Sequence, residues 1–373
     1  MPAVVVAAAY GLLLWRHLAL ASFDPATFVL AGLPYTDPAQ APATLPVGPT
    51  GYDGQFYYRL ALDPFSSSRT VHGITFDAPA YRSQRIGYPL IVWLLSAGQQ
   101  GLVPALLIAV NYVGICLVPL LAGRYAVHVG RHAWWGALIG FYPGFIYTIT
   151  RDLTEIVAVV LLLAGLLALR LGRDVLAGVL LAAAVMTRET TLLVSGAGLL
   201  VALACRRRPG ATGVRPWRPF AAAALVYGVW QLVIVALWGV PSVAAGSSTL
   251  GAPFRGLSGL VQDVSALSTA IRWIWAAELL LLASLVGVVA ASLRSTRAGP
   301  VVALAWCLYT AFAVFYSGSV WEGDTAFLRA LTEFFVLGAL CLMGAPGRGR
   351  ALVAGGFAGG LSVLWFLVAI VVH

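Results

Sequence analysis

The sequence predicts an all-α, multi-pass membrane protein with about eleven transmembrane helices. Of its 373 residues, 60% are hydrophobic and 10% are charged, whereas a soluble domain has roughly 25% charged residues. Uncharged runs long enough for a helix of about 20 residues to cross a bilayer recur along the chain. They are 86–123, 132–150, 219–254, 298–321 and 351–373. This composition excludes a soluble, disordered or nucleic-acid-binding chain despite the net charge of +9.

The apolar segments are interpreted as membrane crossings of one integral-membrane domain, 1–373. They are 2–21, 102–123, 133–150, 153–170, 174–188, 190–205, 219–239, 273–292, 299–316, 328–344 and 352–372. The intervening sequence divides this domain into three parts. They are the first extracytoplasmic loop at 22–101, the core helices at 102–205 and the C-terminal helices at 206–373.

The placement of arginine predicts the orientation of these segments. With a cytoplasmic N-terminus, the cytoplasmic turns hold 13 of the 23 arginines, and Asp174 is their only acid. The outer side then holds the other 10 arginines and 13 of the 14 acids. Because basic residues concentrate on the cytoplasmic side of membrane proteins, we expect a cell-membrane protein with a cytoplasmic N-terminus and an extracytoplasmic working face.

The first outer loop is long and ends in an apolar stretch that exceeds one crossing. The uncharged run 86–123 contains more residues than a single helix needs to cross the bilayer. We expect its first part to form an interfacial helix on the outer leaflet, with a corner at Gly98–Gly101.

Two later segments are short. Only 13 uncharged residues separate Asp174 from Arg188, and 14 separate Glu155 from Arg170. Such lengths are marginal for a full crossing, so the outer helix ends are expected to lie below the membrane surface. The charged residues at these ends would then line a recess open to the outside, because charges at membrane depth avoid lipid. They are Arg151, Asp152, Glu155, Arg188 and Glu189.

Asp53 lies among aromatic residues just after the first membrane segment, in the stretch Gly51–Arg59. One interpretation is a loop turn in which the carboxylate bonds its own backbone. The other is a carboxylate that activates an acceptor hydroxyl as a general base, or binds sugar hydroxyls.

Arginine marks further candidate positions on the predicted outer side. Arg85 is either a snorkelling interfacial residue or a phosphate clamp. Arg188 either binds an anion or neutralises Glu189. Arg329 either holds a second anionic group or forms a helical i,i+4 pair with Glu333.

No metal-ligand spacing occurs among the histidines and cysteines, and we predict no metal site. The histidines are dispersed, and the four cysteines lie singly in apolar segments.

The ordered set of motifs resembles the GT-C superfamily of integral-membrane glycosyltransferases, especially the GPI-mannosyltransferase-like branch and its bacterial relatives. The resemblance rests on an early acidic residue with aromatic neighbours, a Tyr-Pro-Leu helix start, a later acidic turn and a Thr-Arg pair. In this chain they are Tyr52–Tyr58, Gly87–Leu90, 141–155 and 176–189.

The resemblance implies transfer of a sugar, such as a mannose-like hexose, from a polyprenyl-phosphate donor to an acceptor hydroxyl on a glycan, lipid or protein. It implies Asp53 as general base and Arg85, Arg188 and Arg329 as ligands of the donor phosphate. No cofactor beyond the lipid-linked substrate is expected. The other expected substrate-binding residues are Tyr52, Gln55, Tyr57, Tyr58, Tyr88, Arg151, Asp152, Glu155 and Glu189.

Two other classes of function remain open from the sequence. One is a transporter or flippase for a lipid-linked or anionic solute, although no internal repeat typical of transporters is evident. The other is a non-catalytic scaffold in an envelope-assembly complex.

Overall fold

The computed structural model describes residues 1–206, 217–246, 249–263, 269–321 and 324–346. The last predicted membrane segment, 352–372, lies outside these residues. Within them the chain is mostly helical, with two small sheets of two strands each in the first loop. The prediction of a helical protein is confirmed for this part of the chain.

Apolar helices follow one another along the chain, and a loop-rich segment separates the first of them from the rest. The α-helices are α1 (Pro2–Leu20), α2 (Gly54–Leu62), α3 (Pro79–Ser83), α4 (Gly87–Ser96), α5 (Val103–His128), α6 (Trp135–Gly140), α7 (Gly144–Ile149), α8 (Glu155–Arg170), α9 (Asp174–Thr187), α10 (Leu192–Arg206), α11 (Arg218–Trp238), α12 (Ser242–Ala245), α13 (Arg255–Asp263), α14 (Thr269–Ser292), α15 (Pro300–Ala313), α16 (Gly318–Trp321), α17 (Asp324–Ala330) and α18 (Thr332–Met343). Short 3₁₀ helices cover Pro25–Val29, Gln100–Leu102 and Glu189–Thr191. Strands β1 (Ala31–Gly32) and β2 (Val47–Gly48) pair in parallel, and β3 (Thr70–Val71) and β4 (Ile74–Thr75) pair antiparallel.

Among the described residues, three helices are long and apolar enough to cross a membrane: Pro2–Leu20, Gln100–His128 and Arg218–Trp238. Shorter apolar helices accompany them. They are Gly87–Ser96, Asp174–Thr187, Glu189–Cys205, Leu282–Ser292, Pro300–Ala313 and Thr332–Met343. These helices support a membrane protein, and the number of eleven crossings stays a prediction.

Two predicted segments are interrupted rather than continuous. The segment 133–150 forms two short helices, α6 and α7, separated at Phe141–Pro143. Proline has no backbone N–H and disfavours a helical conformation in the preceding residue, which accounts for this break. The segment 328–344 is likewise divided at Leu331, between α17 and α18.

The predicted separate helix after the first loop is present as α4. It ends at Ser96 and is followed by Ala97 with φ 47° and Gly98 with φ 82°. These left-handed residues turn the chain into the 3₁₀ turn that leads to α5. The corner expected at Gly98–Gly101 is therefore confirmed, one residue longer at its start.

Two apolar cores hold the helices together. In the larger core α8 packs against α5 and α9, α9 against α11, and α15 against α10 and α18. The smaller core lies beneath the first loop, where Phe56 and Phe76 meet Val92, Leu107 and Val157. This second core fixes α2 and α4 against the ends of α5 and α8, and thereby places the loop over the helix ends.

Candidate functional site

Asp53 lies at the start of α2, at a close approach between the first loop and the turn before α8. A Cβ on Gly54 would lie 2.4 Å from the carbonyl oxygen of Arg151, so only glycine permits this contact. The Asp53 side chain does not cap its own helix. Its Oδ1 instead lies 2.9 Å from Nη1 of Arg82, and its Oδ2 lies 3.1 Å from Nη2 of Arg329.

These two guanidinium groups control the acidity of Asp53. Burial by itself would raise the pKa of Asp53, but the charges of Arg82 and Arg329 outweigh this effect and hold the pKa below its usual range. The carboxylate is therefore ionised at neutral pH and carries a cation on each oxygen. About a quarter of the side chain remains exposed, since its relative accessibility is 25%.

A buried chain of ion pairs continues from Asp53 into the helical core. Arg329 Nε donates to Oε1 of Glu155 at 3.0 Å. The same Glu155 oxygen lies 2.8 Å from Nη1 of Arg188, and Nε of Arg188 lies 2.8 Å from Oε1 of Glu333. Arg188 Nη2 also donates to the carbonyl oxygen of Arg329 at 2.6 Å. Since buried charges are tolerated only when paired, these residues depend on one another.

The helix ends explain where these charges lie. Glu155 begins α8, Glu333 lies in the first turn of α18, and Glu189 begins a 3₁₀ turn. Arg329 lies in the last turn of α17, and Arg188 directly follows α9. Negative charge is favoured near helix N-termini and positive charge near C-termini. The site is thus the place where several helix ends of opposite polarity meet.

Arg85 occupies a neighbouring position with its own acidic partner. Its Nε and Nη2 donate to the two carboxylate oxygens of Glu189 at 2.8 and 2.6 Å, in a bidentate pair. The remaining donors contact Tyr57 OH at 3.3 Å and Tyr81 OH at 3.1 Å. This pair connects the end of the first loop to the turn between α9 and α10.

Arg151 and Asp152 differ from the other predicted charges. The Arg151 guanidinium lies over the rings of Tyr52 and Tyr147, with centroid distances of 4.6 and 5.2 Å. Asp152 is fully buried, has φ 50°, and neither of its carboxyl oxygens accepts a hydrogen bond from the described residues. Burial raises the pKa of Asp152 well above its usual range, which favours the neutral acid.

Three of the predicted substrate-binding residues have partners within the fold. Gln55 is buried, and its Oε1 accepts hydrogen bonds from the backbone of Gly32 at 3.2 Å and from Thr36 at 2.9 Å. Tyr88 OH donates to the carbonyl oxygen of Leu107 at 2.8 Å. Tyr58 is buried in the smaller core. These contacts give the three side chains a structural role, and their role in substrate binding stays a prediction.

The local pairings that the sequence left open are replaced by pairings between distant segments. Arg188 forms ion pairs with Glu155 and Glu333 rather than with Glu189. Arg329 pairs with Glu155 rather than with Glu333, its neighbour four residues on. The structure therefore brings together most of the predicted charged residues, but with different partners.

The sequence did not single out Arg82, although it contacts Asp53 directly. Arg82 also forms a bidentate pair with Asp77, through Nε at 2.8 Å and Nη2 at 2.6 Å. The available signal was its position, since Arg82 lies three residues before the predicted Arg85 in the same stretch of sequence. Asp77 and Arg82 thus extend the site to the surface of the first loop.

The assembled site combines an ionised carboxylate, several guanidinium groups and tyrosine hydroxyls at one set of helix ends. A carboxylate is suited to accept a proton from a hydroxyl, and guanidinium groups are suited to bind phosphate. No group of three His, Cys, Asp or Glu side chains is placed to hold a metal ion in the part of the chain that the structure describes. The expectation of a metal-free site stays a prediction.

Comparison of the chain with protein-family models, with curated proteins and with solved structures gave no match in any of the three.

Proposed function

We propose that this protein is an integral-membrane glycosyltransferase of GT-C type that transfers a sugar from a polyprenyl-phosphate donor to an acceptor hydroxyl. One observation carries the proposal. Asp53, Glu155, Arg188 and Arg329 come from segments far apart in the sequence, yet they form one continuous network of ion pairs. The proposed membrane arrangement has eleven crossings, a cytoplasmic N-terminus and this network on the extracytoplasmic side, with α4 lying in the outer interface.

In the proposed reaction Asp53 accepts the proton of the acceptor hydroxyl. The hydroxyl oxygen forms a bond to C1 of the sugar, and the bond between C1 and the phosphate oxygen breaks with its electron pair moving to the phosphate. The leaving polyprenyl phosphate gains one negative charge, so nearby cations favour its departure. Arg82 and Arg329 position the Asp53 carboxylate and keep it ionised.

Replacement of Asp53 by asparagine tests this function. Purified protein in proteoliposomes is supplied with polyprenyl-phosphate sugars and candidate acceptors, and the glycosylated product is measured. We expect Asp53→Asn to lower the rate of transfer by about 100-fold or more, the usual contribution of a general base. The control is Asp63→Asn, the same change at the other end of α2, outside the network.

Three results would contradict the proposal in different ways. Unchanged transfer by a folded Asp53→Asn protein would exclude Asp53 as the base. Substrate-dependent flux of the lipid-linked sugar without a covalent product would instead support a transporter or flippase. Unchanged envelope assembly in cells carrying variants at Asp53, Arg85 and Arg188 would support a non-catalytic scaffold.

A further inference from the structure

The arginines of the site differ in how their charge is compensated. Arg82, Arg85, Arg188 and Arg329 each have a carboxylate oxygen within 3.1 Å. Arg151 forms no ion pair with any described residue. Three arginines that the sequence assigned to the donor phosphate are therefore already committed to carboxylates, whereas Arg151 keeps its donors available.

Arg151 is held in place without using its N–H groups. Its guanidinium is stacked on the rings of Tyr52 and Tyr147, and the side chain is half-buried. A cation over the face of an aromatic ring is attracted to the ring, and the attraction is stronger when the cation is partly desolvated. The adjacent acid, Asp152, is fully buried and forms no ion pair with Arg151. A half-buried guanidinium that lies over aromatic rings and pairs with no carboxylate of the described residues is the arrangement expected of an anion-binding residue.

Tyr52 also contacts a second cation, Arg329. Arg329 Nη1 donates to Tyr52 OH at 2.7 Å, and its guanidinium lies 5.1 Å from the centre of the Tyr52 ring. Two guanidinium groups thus contact one tyrosine, and that of Arg329 also pairs with Asp53. Asp53 and Glu155 both pair with Arg329, and neither pairs with Arg151. The guanidinium of Arg151 is therefore the charge that a bound anion would neutralise.

We propose that Arg151 and Arg329, placed around Tyr52, form the subsite for a phosphate group. This inference rests on the proposed function, because the phosphate would be that of the lipid-linked donor or product. Arg329 contributes one of its donors by moving from Asp53 to the phosphate. Asp53 then keeps only Arg82 as a partner, so occupation of the subsite makes the carboxylate a stronger base. Tyr52 is the positioning residue that keeps the two arginines together.

Direct binding tests the subsite without requiring catalysis. Wild-type protein and variants are placed in phosphatidylcholine nanodiscs containing a polyprenyl monophosphate, and the retained lipid is measured by native mass spectrometry, with inorganic phosphate as a soluble competitor. Arg151→Gln should weaken binding of the polyprenyl monophosphate by about tenfold or more, the effect of losing a charged hydrogen-bonding group. Arg151→Lys should give an intermediate loss, since lysine keeps the charge but lacks the planar fork. Tyr52→Phe should weaken binding less than Arg151→Gln, because the ring is kept.

The matched control is Arg255→Gln, which removes an exposed arginine predicted to lie on the same side of the membrane. If Arg151→Gln loses only the retention of polyprenyl monophosphate, the subsite recognises the lipid headgroup. If inorganic phosphate competes with the lipid in the wild type but no longer does so in Arg151→Gln, the subsite recognises the phosphate group itself. Wild-type retention in Arg151→Gln, or an equal loss in Arg255→Gln, overturns the subsite. A wild-type protein that binds through Arg151 but transfers no sugar overturns the proposed function and leaves the subsite standing. An Arg151→Gln protein that transfers sugar with an unchanged KM for the lipid-linked donor overturns the subsite and leaves the proposed function standing.

Discussion

Arg188 is the residue whose loss should destabilise the protein most clearly. Its side chain is 4% exposed, and its guanidinium nitrogens lie 2.8 Å from a carboxylate oxygen of Glu155 and from one of Glu333. Replacement by methionine keeps most of the length of the side chain and removes the charge. Glu155 would keep Arg329 at 3.0 Å, but Glu333 would keep no cation among the described residues. The variant Arg188→Met therefore leaves the buried carboxylate of Glu333 without a cation among the described residues.

The free-energy cost of leaving Glu333 without a cation is the cost of protonating its carboxylate. A glutamic acid in water has a pKa of about 4.3, so neutralising it at pH 7 costs about 3.7 kcal/mol. This agrees with the roughly 3–5 kcal/mol measured when one partner of a buried pair is removed. Glu333→Gln should cost less, because Arg188 keeps Glu155. The double variant should recover roughly 1–3 kcal/mol relative to the sum of the single changes.

Unfolding titrations in mixed micelles measure these free energies for the wild type, both single variants and the double variant. The penalty of Arg188→Met should shrink as pH falls below 7, because protonation of the carboxyl left without a cation becomes easier. An Arg188→Met protein as stable as wild type, or a double variant whose loss equals the sum of the singles, would show that the ion pairs do not hold these helix ends together.

Two further predictions concern the first loop and its contact with α9. Arg82→Gln removes a guanidinium 2.9 Å from the Asp53 carboxylate, so the pKa of Asp53 should rise. The acidic limb of the pH profile of kcat/KM should then move to higher pH. An unmoved limb would exclude Arg82 from setting that pKa. Gly87→Ala would place a Cβ 2.4 Å from Oγ1 and 2.8 Å from the backbone nitrogen of Thr187, so it should lower the melting temperature of the protein. The control Gly101→Ala meets nothing within 4 Å and should leave the melting temperature unchanged, and equal effects of the two changes would contradict the packing argument.

Hydrophobic patterning was sufficient to predict the long apolar helices but not all of their boundaries. Long apolar segments predicted α1, α5 and α11, because a helix that satisfies its own backbone needs only apolar side chains around it. The interruption at Pro143 lies inside such a run. A hydropathy profile does not detect this break, because proline and its neighbours are apolar and the break arises from a missing N–H group.

The site was predictable as a set of residues but not as a set of pairs. Charges near the outer ends of short apolar segments indicated which side chains avoid lipid, and the structure brings Glu155, Arg188 and Arg329 together. Which carboxylate meets which guanidinium depends on how the helices pack, and spacing along one helix contains no information about that. This is why the neighbour Glu189 looked a suitable partner for Arg188, whereas the pairing observed for Glu189 is with Arg85.

The pairing of the charges decides where a functional effect can be separated from a structural one. Arg188 and Arg329 hold together helix ends from distant parts of the chain, so their removal should affect folding whatever else they do. Arg151 has a different position: it stacks on two tyrosines, remains half-exposed, and leaves no described carboxylate without a partner when it is replaced. A loss of phosphate binding or transfer in a stable Arg151 variant would therefore report on the chemistry of the site itself, because the fold does not depend on that charge.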